Sequence, residues 1–377
     1  VIVDHILAGN NIDTLKMLPD NYVHCCVTSP PYFGLRDYET AQWIGGDVKC
    51  NHVNNSNRDE RPRRGLEGGL STIGAATFYK TICGKCGAIR NDSQIGLEET
   101  PEAYIQKLVD IFREVKRVLR DDGTLWVNIG DTYAGSGNGG AHYPDATIGC
   151  KQGTSLGTIN KPNLPQGKTY KGIKAKDLIG IPWALAFALR EDGYYLRQDI
   201  IWHKPNPMPE SVTDRCTKSH EYLFLFSKSK NYYFDNTAIR EIAIENKDIG
   251  LLRGKSIVDD KIAWHSASIQ KRKEENINSK TAGTGYRNKR DVWTVPTESL
   301  GVEHFAVFPQ KLILPCILCG CPENGIVLDP FLGSGTTAVV AVKNFRRYIG
   351  CELNPEYIKI AEQRISDEMG LFNEVST

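Results

Sequence analysis

Two stretches of this 377-residue chain carry residue types in an order that suits work on a bound substrate. Thr28-Ser29-Pro30-Pro31-Tyr32 follows the apolar run Val23 to Val27. Paired prolines end a strand because they donate nothing to a ladder, so Ser29 to Tyr32 falls past a strand's carboxyl end, where open α/β sheets keep their chemistry. Ile326-Val327-Leu328-Asp329-Pro330-Phe331-Leu332-Gly333-Ser334-Gly335-Thr336-Thr337 puts an acid at a second strand end, then a tight glycine turn that opens a helix. Glycines let a ligand approach the backbone, and a helix start offers unpaired N–H groups. Glu352 lies 23 residues beyond Asp329, at the end of the next strand, where an acid can accept hydrogen bonds from ribose hydroxyls. Gly-x-Gly alone also serves as a plain helix-packing turn; acids at both strand ends shift the expectation to a nucleoside-bearing ligand. No lysine follows Gly335 and the third glycine of a dinucleotide fingerprint is missing. A ligand with ribose but no pyrophosphate fits better, which points to S-adenosylmethionine.

The elements that must position these residues read as alternating strands and helices. A strand, a turn at Gly9-Asn10 and a helix over Ile12 to Leu18 open the chain. Thr100-Pro101-Glu102 is a helix start, with a capping hydroxyl, proline at the first helical position and an early acid. Tyr104, Leu108, Ile111, Phe112, Val115 and Leu119 recur at helical spacing, and Asp121-Asp122-Gly123 is expected to stop the run before a strand over Thr124 to Ile129. A helix from Pro182 to Gly193, strands Tyr194 to Trp202 and Tyr222 to Phe226, and a helical run Phe305 to Leu318 follow. Strands at Gly325 to Leu328 and Tyr348 to Cys351 close a βαβ unit, so a mostly parallel sheet covered on both faces is expected.

The combination resembles the β class of DNA amino-methyltransferases, which methylate the exocyclic amine of cytosine or adenine. Ser29-Pro30-Pro31-Tyr32 matches their catalytic tetrapeptide, Asp329 to Thr337 matches their cofactor motif, and His304-Phe305-Ala306-Val307-Phe308-Pro309 looks like the helix before the cofactor strand. The match covers residues 4–38, 100–133, 180–235 and 300–365, catalytic motif first and cofactor motif last. It implies a Rossmann-like methyltransferase fold. Asp329 would then hold the methionine amino group, Phe331 and Gly333 would shape its pocket, and Glu352 would bind the ribose. His304, Phe305 and Pro309 would line the methionine end. The turn residues Ser334, Gly335 and Thr336 belong to the same cofactor set, as does Asn10, which stands where the family commonly has Asp. Ser29 and the Pro30 carbonyl would accept hydrogen bonds from the target amine, Pro31 would stiffen the loop, and Tyr32 would stack on a base flipped from double-stranded DNA. In this family a serine-headed tetrapeptide goes mostly with cytosine N4 and an aspartate-headed one with adenine N6, so Ser29 favours cytosine. Adenine is the alternative, and a protein glutamine amide a second one. Pro315-Cys316 holds the dipeptide that cytosine carbon-5 chemistry needs, but in an apolar helical run, so Cys316 is read as core, as is the cluster Cys316-x-x-Cys319-x-Cys321.

Cys50-x-His52 and Cys83-x-x-Cys86 supply four soft ligands in two short pairs, a set that suits a closed, structural zinc site. With 46 Lys and Arg against 45 Asp and Glu, net charge argues for no partner, so DNA contacts must be local. The candidates are Arg58, Arg61, Arg63 and Arg64, the lysines of 151–176, and Lys271 to Arg290, with seven basic residues against two acids. Trp202 to Asn206 and Arg215 to Glu221 are expected to close over the flipped base, though His203 and His220 serve structure equally well. The expected organisation is 1–40 with the catalytic motif, 41–99 as a zinc insertion, 100–235 with a mobile loop at 134–176, 236–300 for target recognition, and 301–377 for cofactor binding. No apolar stretch is long enough to span a bilayer and the eleven cysteines include several isolated in apolar runs, so a reduced, cytoplasmic protein of bacterial or phage type is expected. A homodimer and a cognate restriction enzyme are left open.

Overall fold

The computed structural model describes residues 2–34, 42–47, 49–50, 83, 85–91, 94–135, 170–210, 212–242, 286–298 and 308–375. Its centre is an eight-stranded sheet. In spatial order the strands are β1 (His5–Ala8), β12 (Arg347–Glu352), β11 (Ile326–Asp329), β2 (Val23–Thr28), β5 (Leu119–Ile129), β7 (His220–Ser227), β6 (Tyr195–His203) and β10 (Val292–Thr294). The first five run parallel, β7 is antiparallel to both of its neighbours, and β10 pairs parallel with β6. The mostly parallel sheet expected above is therefore present, with one reversed strand. That reversal brings the amino end of β7 to the edge where the parallel strands end, with Ile129 opposite Tyr222 and His203 opposite His220.

Alternation along each strand builds two cores, because successive side chains leave opposite faces of a sheet. On one face Cys26, Leu125, Val127, Leu328 and Phe224 meet Leu15 of α1 (Asn11–Lys16), Phe112 of α2 (Pro101–Val118) and Leu185 of α3 (Ile181–Glu191). On the other, Cys25, Val27, Trp126, Val327 and Leu225 meet Ile313 of α4 (Gln310–Gly320), Val339 of α5 (Thr336–Lys343) and Ala361 of α6 (Pro355–Val375). Cys316, Cys319 and Cys321 are wholly buried in this second core, as their apolar setting suggested.

Local signals place the helix starts well. The Thr100 hydroxyl accepts from the Ala103 N–H, and Pro101 stands in the first turn. Two expectations are corrected. Asp121-Asp122-Gly123 does not separate helix from strand: β5 already begins at Leu119, paired with Val23, and a register irregularity before the Cys25 and Thr124 pair absorbs the polar residues. The apolar run from Phe305 is not helical throughout, because Pro309 is extended and caps a helix that begins at Gln310; His304 and Phe305 lie outside the described residues. A short pair, β3 (Gln42–Ile44) with β4 (Ile89–Asn91), closes the base of the cysteine-bearing insertion. A second joins β8 (Glu241–Ile242) to β9 (Tyr286–Arg287). No helix among the described residues is long and apolar enough to cross a membrane.

Candidate active site

Asp329 ends β11, where the chain turns into the glycine loop, and it is almost fully buried. Its Oδ1 accepts from the Thr28 hydroxyl at 2.6 Å and the Phe331 N–H at 3.0 Å, and its Oδ2 accepts from the Thr337 hydroxyl at 2.7 Å. Burial raises its pKa to about 6, against the opposing pull of these donors. An ionised carboxylate offers about four acceptor positions, so one is left for an incoming cation such as an ammonium. Glu352, at the end of β12, accepts from the Gly333 N–H and the Asn354 N–H, both at 2.8 Å. Burial raises its pKa as well. Both carboxylates thus keep unused acceptor capacity at the same edge of the sheet.

The turn between them is shaped by close approach. Gly335 has φ +85°, and a Cβ there would come within 2.8 Å of the Ala361 Cβ on α6. The side chains of Ser334 and Thr336 meet Arg364, which donates to the Ser334 carbonyl at 2.5 Å and hydroxyl at 2.9 Å and lies 3.3 Å from Thr336 Oγ1. Phe331 packs edge-on to Phe112 with ring centroids 6.5 Å apart. Asn10 is the amino cap of α1, its Oδ1 accepting from the Ile12 N–H at 2.9 Å, and Pro309 caps α4.

The tetrapeptide follows β2 directly, next to β11. Tyr104 donates to the Pro31 carbonyl at 2.8 Å, which fixes the second proline from below. Gly130 leaves room for the Tyr32 ring: a Cβ there would lie 2.6 Å from Tyr32 Cε2. Gly96, at the exit of the insertion, abuts the Tyr32 carbonyl, and its own carbonyl accepts from the Gly34 N–H at 2.8 Å. The Tyr32 hydroxyl donates to Glu221 Oε2 at 2.7 Å and lies 3.2 Å from Asn128 Oδ1. Burial and the neighbouring carboxylate keep this phenol's pKa well above its ordinary value, so it stays a donor. Tyr104, Gly130, Asn128 and Arg364 have no motif around them that announces a role, with Gly130-Asp131 directly after an apolar strand as the nearest thing to a signal; Thr28 and Thr337 lie inside the two motifs, and Glu221 ends the segment expected to close over a base, but nothing in their spacing points to these contacts.

The family model described as DNA methylase, of the N6/N4 methyltransferases, matches residues 23–363. The chain belongs to this DNA methylase family. It is 41% identical over 363 residues to the Type II methyltransferase M.Cfr9I of Citrobacter freundii, covering 96% of this chain and 88% of that protein. To the Type II methyltransferase M.SmaI of Serratia marcescens it is 38% identical, covering 96% and 90%. The cytosine-N4-specific PvuII DNA methyltransferase shares the fold, with a TM-score of 0.52 at 14% identity, over 98% of this chain and 91% of that one.

In this DNA methylase the cysteines of the insertion also converge. Cys50, Cys83 and Cys86 have ligand atoms within 4.8 Å of one another, and the Cys50 and Cys83 sulfurs are 3.9 Å apart. Two thiolates on one tetrahedral zinc, with bonds of about 2.3 Å, stand about 3.8 Å apart, so the spacing fits that metal. The turn Gly87 N–H to Cys83 carbonyl, at 2.9 Å with Gly87 at φ +71°, folds the second pair around such a centre. His52 lies outside the described residues, as do Arg58, Arg61, Arg63, Arg64, residues 136–169 of the expected mobile loop, and residues 243–285, which include most of the Lys271 to Arg290 run. The two segments expected to close over a base do meet: the Lys204 N–H donates to the Ser219 carbonyl at 2.8 Å. His203 Nδ1 lies 3.1 Å from the Thr294 hydroxyl, and the His220 ring meets Tyr222 edge-on.

Proposed function

We propose that the chain transfers a methyl group from S-adenosylmethionine to the exocyclic N4 amine of cytosine, in double-stranded DNA, on a base flipped out of the helix. The observation that carries this reading is that Ser29, not an aspartate, heads the tetrapeptide and follows directly on Thr28, whose hydroxyl is bonded to Asp329.

The residues present fit the cofactor. When bound, S-adenosylmethionine supplies an electrophilic methyl on its sulfonium. The remaining acceptor position of Asp329 suits the methionine ammonium, and Glu352 suits the ribose hydroxyls. Phe331 and Gly333 shape the pocket, with His304, Phe305 and Pro309 at the methionine end and the backbone of Ser334, Gly335 and Thr336 at the helix start. Asn10 joins this set at the start of α1, next to the Ala8 and Glu352 pair.

The target amine is a weak nucleophile because its lone pair is delocalised into the ring. Ser29 Oγ and the Pro30 carbonyl accept hydrogen bonds from its N–H protons, which favours a more tetrahedral nitrogen aligned for attack. Pro31 brings no competing N–H, and Tyr32 offers its ring to the flipped base. We assign base reading to residues 236–300 and phosphate contacts to the basic segments. A structural zinc held by Cys50, Cys83, Cys86 and His52 is supported by the sulfur spacing. The Type II designation of the relatives supports a cognate restriction enzyme.

Incubation with labelled S-adenosylmethionine and unmethylated DNA, followed by digestion to nucleosides and mass spectrometry, tests the reading. N4-methylcytosine is expected; N6-methyladenine would transfer the same chemistry to the alternative base, and labelled protein without a DNA product would point to an amide substrate. Ser29→Ala should lose turnover and keep cofactor binding.

A further inference from the structure

Asn128, Lys204 and Glu221 crowd the catalytic tetrapeptide and have no part in the reaction as described so far. We propose that Glu221 is a positioning residue: its carboxylate anchors the Tyr32 phenol and so sets the plane of the ring against which the flipped base stacks. The inference rests on the DNA-methylation reading above.

The geometry is that of a charged clamp. Tyr32 donates to Glu221 Oε2 at 2.7 Å, and Lys204 pairs with Oε1 of the same carboxylate. Lys204 is itself seated over the Trp202 ring, 4.3 Å from its centroid. Asn128 donates to the Tyr222 carbonyl at 3.0 Å and lies 3.4 Å from Glu221 Oε2, which holds its own Oδ1 toward the phenol. Both partners of the ion pair are mostly buried, 18% and 15% exposed at the side chain. Lys204 balances the charge of the Glu221 carboxylate within this clamp.

A tyrosine that follows two prolines at a strand end still has its side-chain torsions to settle. Gly130 permits the ring to lie against the backbone but does not choose its direction. A charge-assisted hydrogen bond is directional and stronger than a neutral one, so Glu221 chooses it. A ring fixed before the base arrives spares the loop that ordering step during binding, which is where orientation contributes to rate.

The test uses the full chain in four forms: wild type, Tyr32→Phe, Glu221→Gln and the double variant. Turnover on unmethylated DNA is measured beside S-adenosylmethionine affinity by calorimetry. Losing one hydrogen bond to a charged group is expected to lower kcat about 10-fold or more in each single variant, with cofactor affinity unchanged. Because both changes remove one interaction, the double variant should turn over no more slowly than the slower single. Wild-type turnover in Tyr32→Phe, or losses that multiply in the double variant, would overturn the proposal. Tyr32→Phe leaves the Lys204 and Glu221 pair intact, so it decides the matter if Glu221→Gln does not fold. A fluorine label on Tyr32 gives a readout independent of the substrate: its NMR signal should shift and its ring flips should quicken in Glu221→Gln. An unchanged fluorine signal sinks the anchor, whereas wild type that leaves DNA unmethylated, with the signal shifted as expected, sinks only the functional reading.

Discussion

The Thr28 hydroxyl donates a 2.6 Å hydrogen bond to Asp329, across 301 residues of sequence. It joins the residue before the tetrapeptide to the acid of the cofactor motif, within adjacent parallel strands. A shift of either strand end would be felt at the other, so the two halves of the site are set in one register.

The acidity of Asp329 should make S-adenosylmethionine binding pH-dependent. Burial raises its carboxyl to about 6, so below that pH it is protonated and cannot pair with an ammonium. If only the ionised form binds, the Kd for S-adenosylmethionine should be about tenfold weaker at pH 5 than on a plateau above pH 7. Proton release on binding, measured by calorimetry in buffers of different ionisation enthalpy, should be largest near and below pH 6. For the free protein the sign is opposite: ionising a buried acid opposes folding, so Asp329 makes stability fall as pH rises from about 4 to 6. A flat affinity profile from pH 5 to 8 would remove Asp329 from the ammonium site.

Gly130→Ala places a methyl where the Tyr32 ring lies, 2.6 Å from Cε2. The ring must tilt away, and turnover is expected to drop at least about tenfold, in line with the sensitivity of rate to misplacement. Cofactor affinity should hold, because Asp329 and Glu352 are untouched. Equal kcat in the two proteins would show that the ring's position is not limiting.

Zinc should copurify with the full chain at one equivalent, read by mass spectrometry of the metal. Cys83→Ser and Cys86→Ser should each lose it and lower the melting temperature. Gly96 of the insertion exit lies against the Tyr32 carbonyl, so metal loss should also reduce turnover more than cofactor binding. Wild-type protein free of metal and unaffected by a chelator would leave the sulfur cluster as plain thiols.

Cys316 is wholly buried and its pKa stands well above the usual thiol value through burial. A nucleophilic thiol needs the opposite environment. Cys316→Ala should therefore keep methylation and lose about 1 kcal/mol of stability, at the small end of core truncations. Loss of methylation in a folded Cys316→Ala protein would bring the thiol back into the chemistry.

The features of this protein that depend on near neighbours alone can be read from the chain. Two prolines end a strand wherever it lies, an acid before a glycine turn marks a strand that feeds a helix, and Thr100-Pro101 starts a helix through its own hydroxyl and ring. Those rules act over a few residues, so the tetrapeptide, the cofactor turn and Glu352 were legible, and so were most strands. The expected stop at Asp121-Asp122-Gly123 failed because pairing with β2 outweighed the local turn preference. Which distant groups surround the motifs depends instead on strand order and helix packing. Arg364 reaches Ser334 and Thr336 from 30 and 28 residues away. Glu221 lies 189 residues from Tyr32 and reaches it because β7 runs against its neighbours and delivers its amino end to the edge where the others finish. Strand direction in a sheet is set by which pairing buries both faces best, a property of the whole core, and no spacing along the chain encodes it.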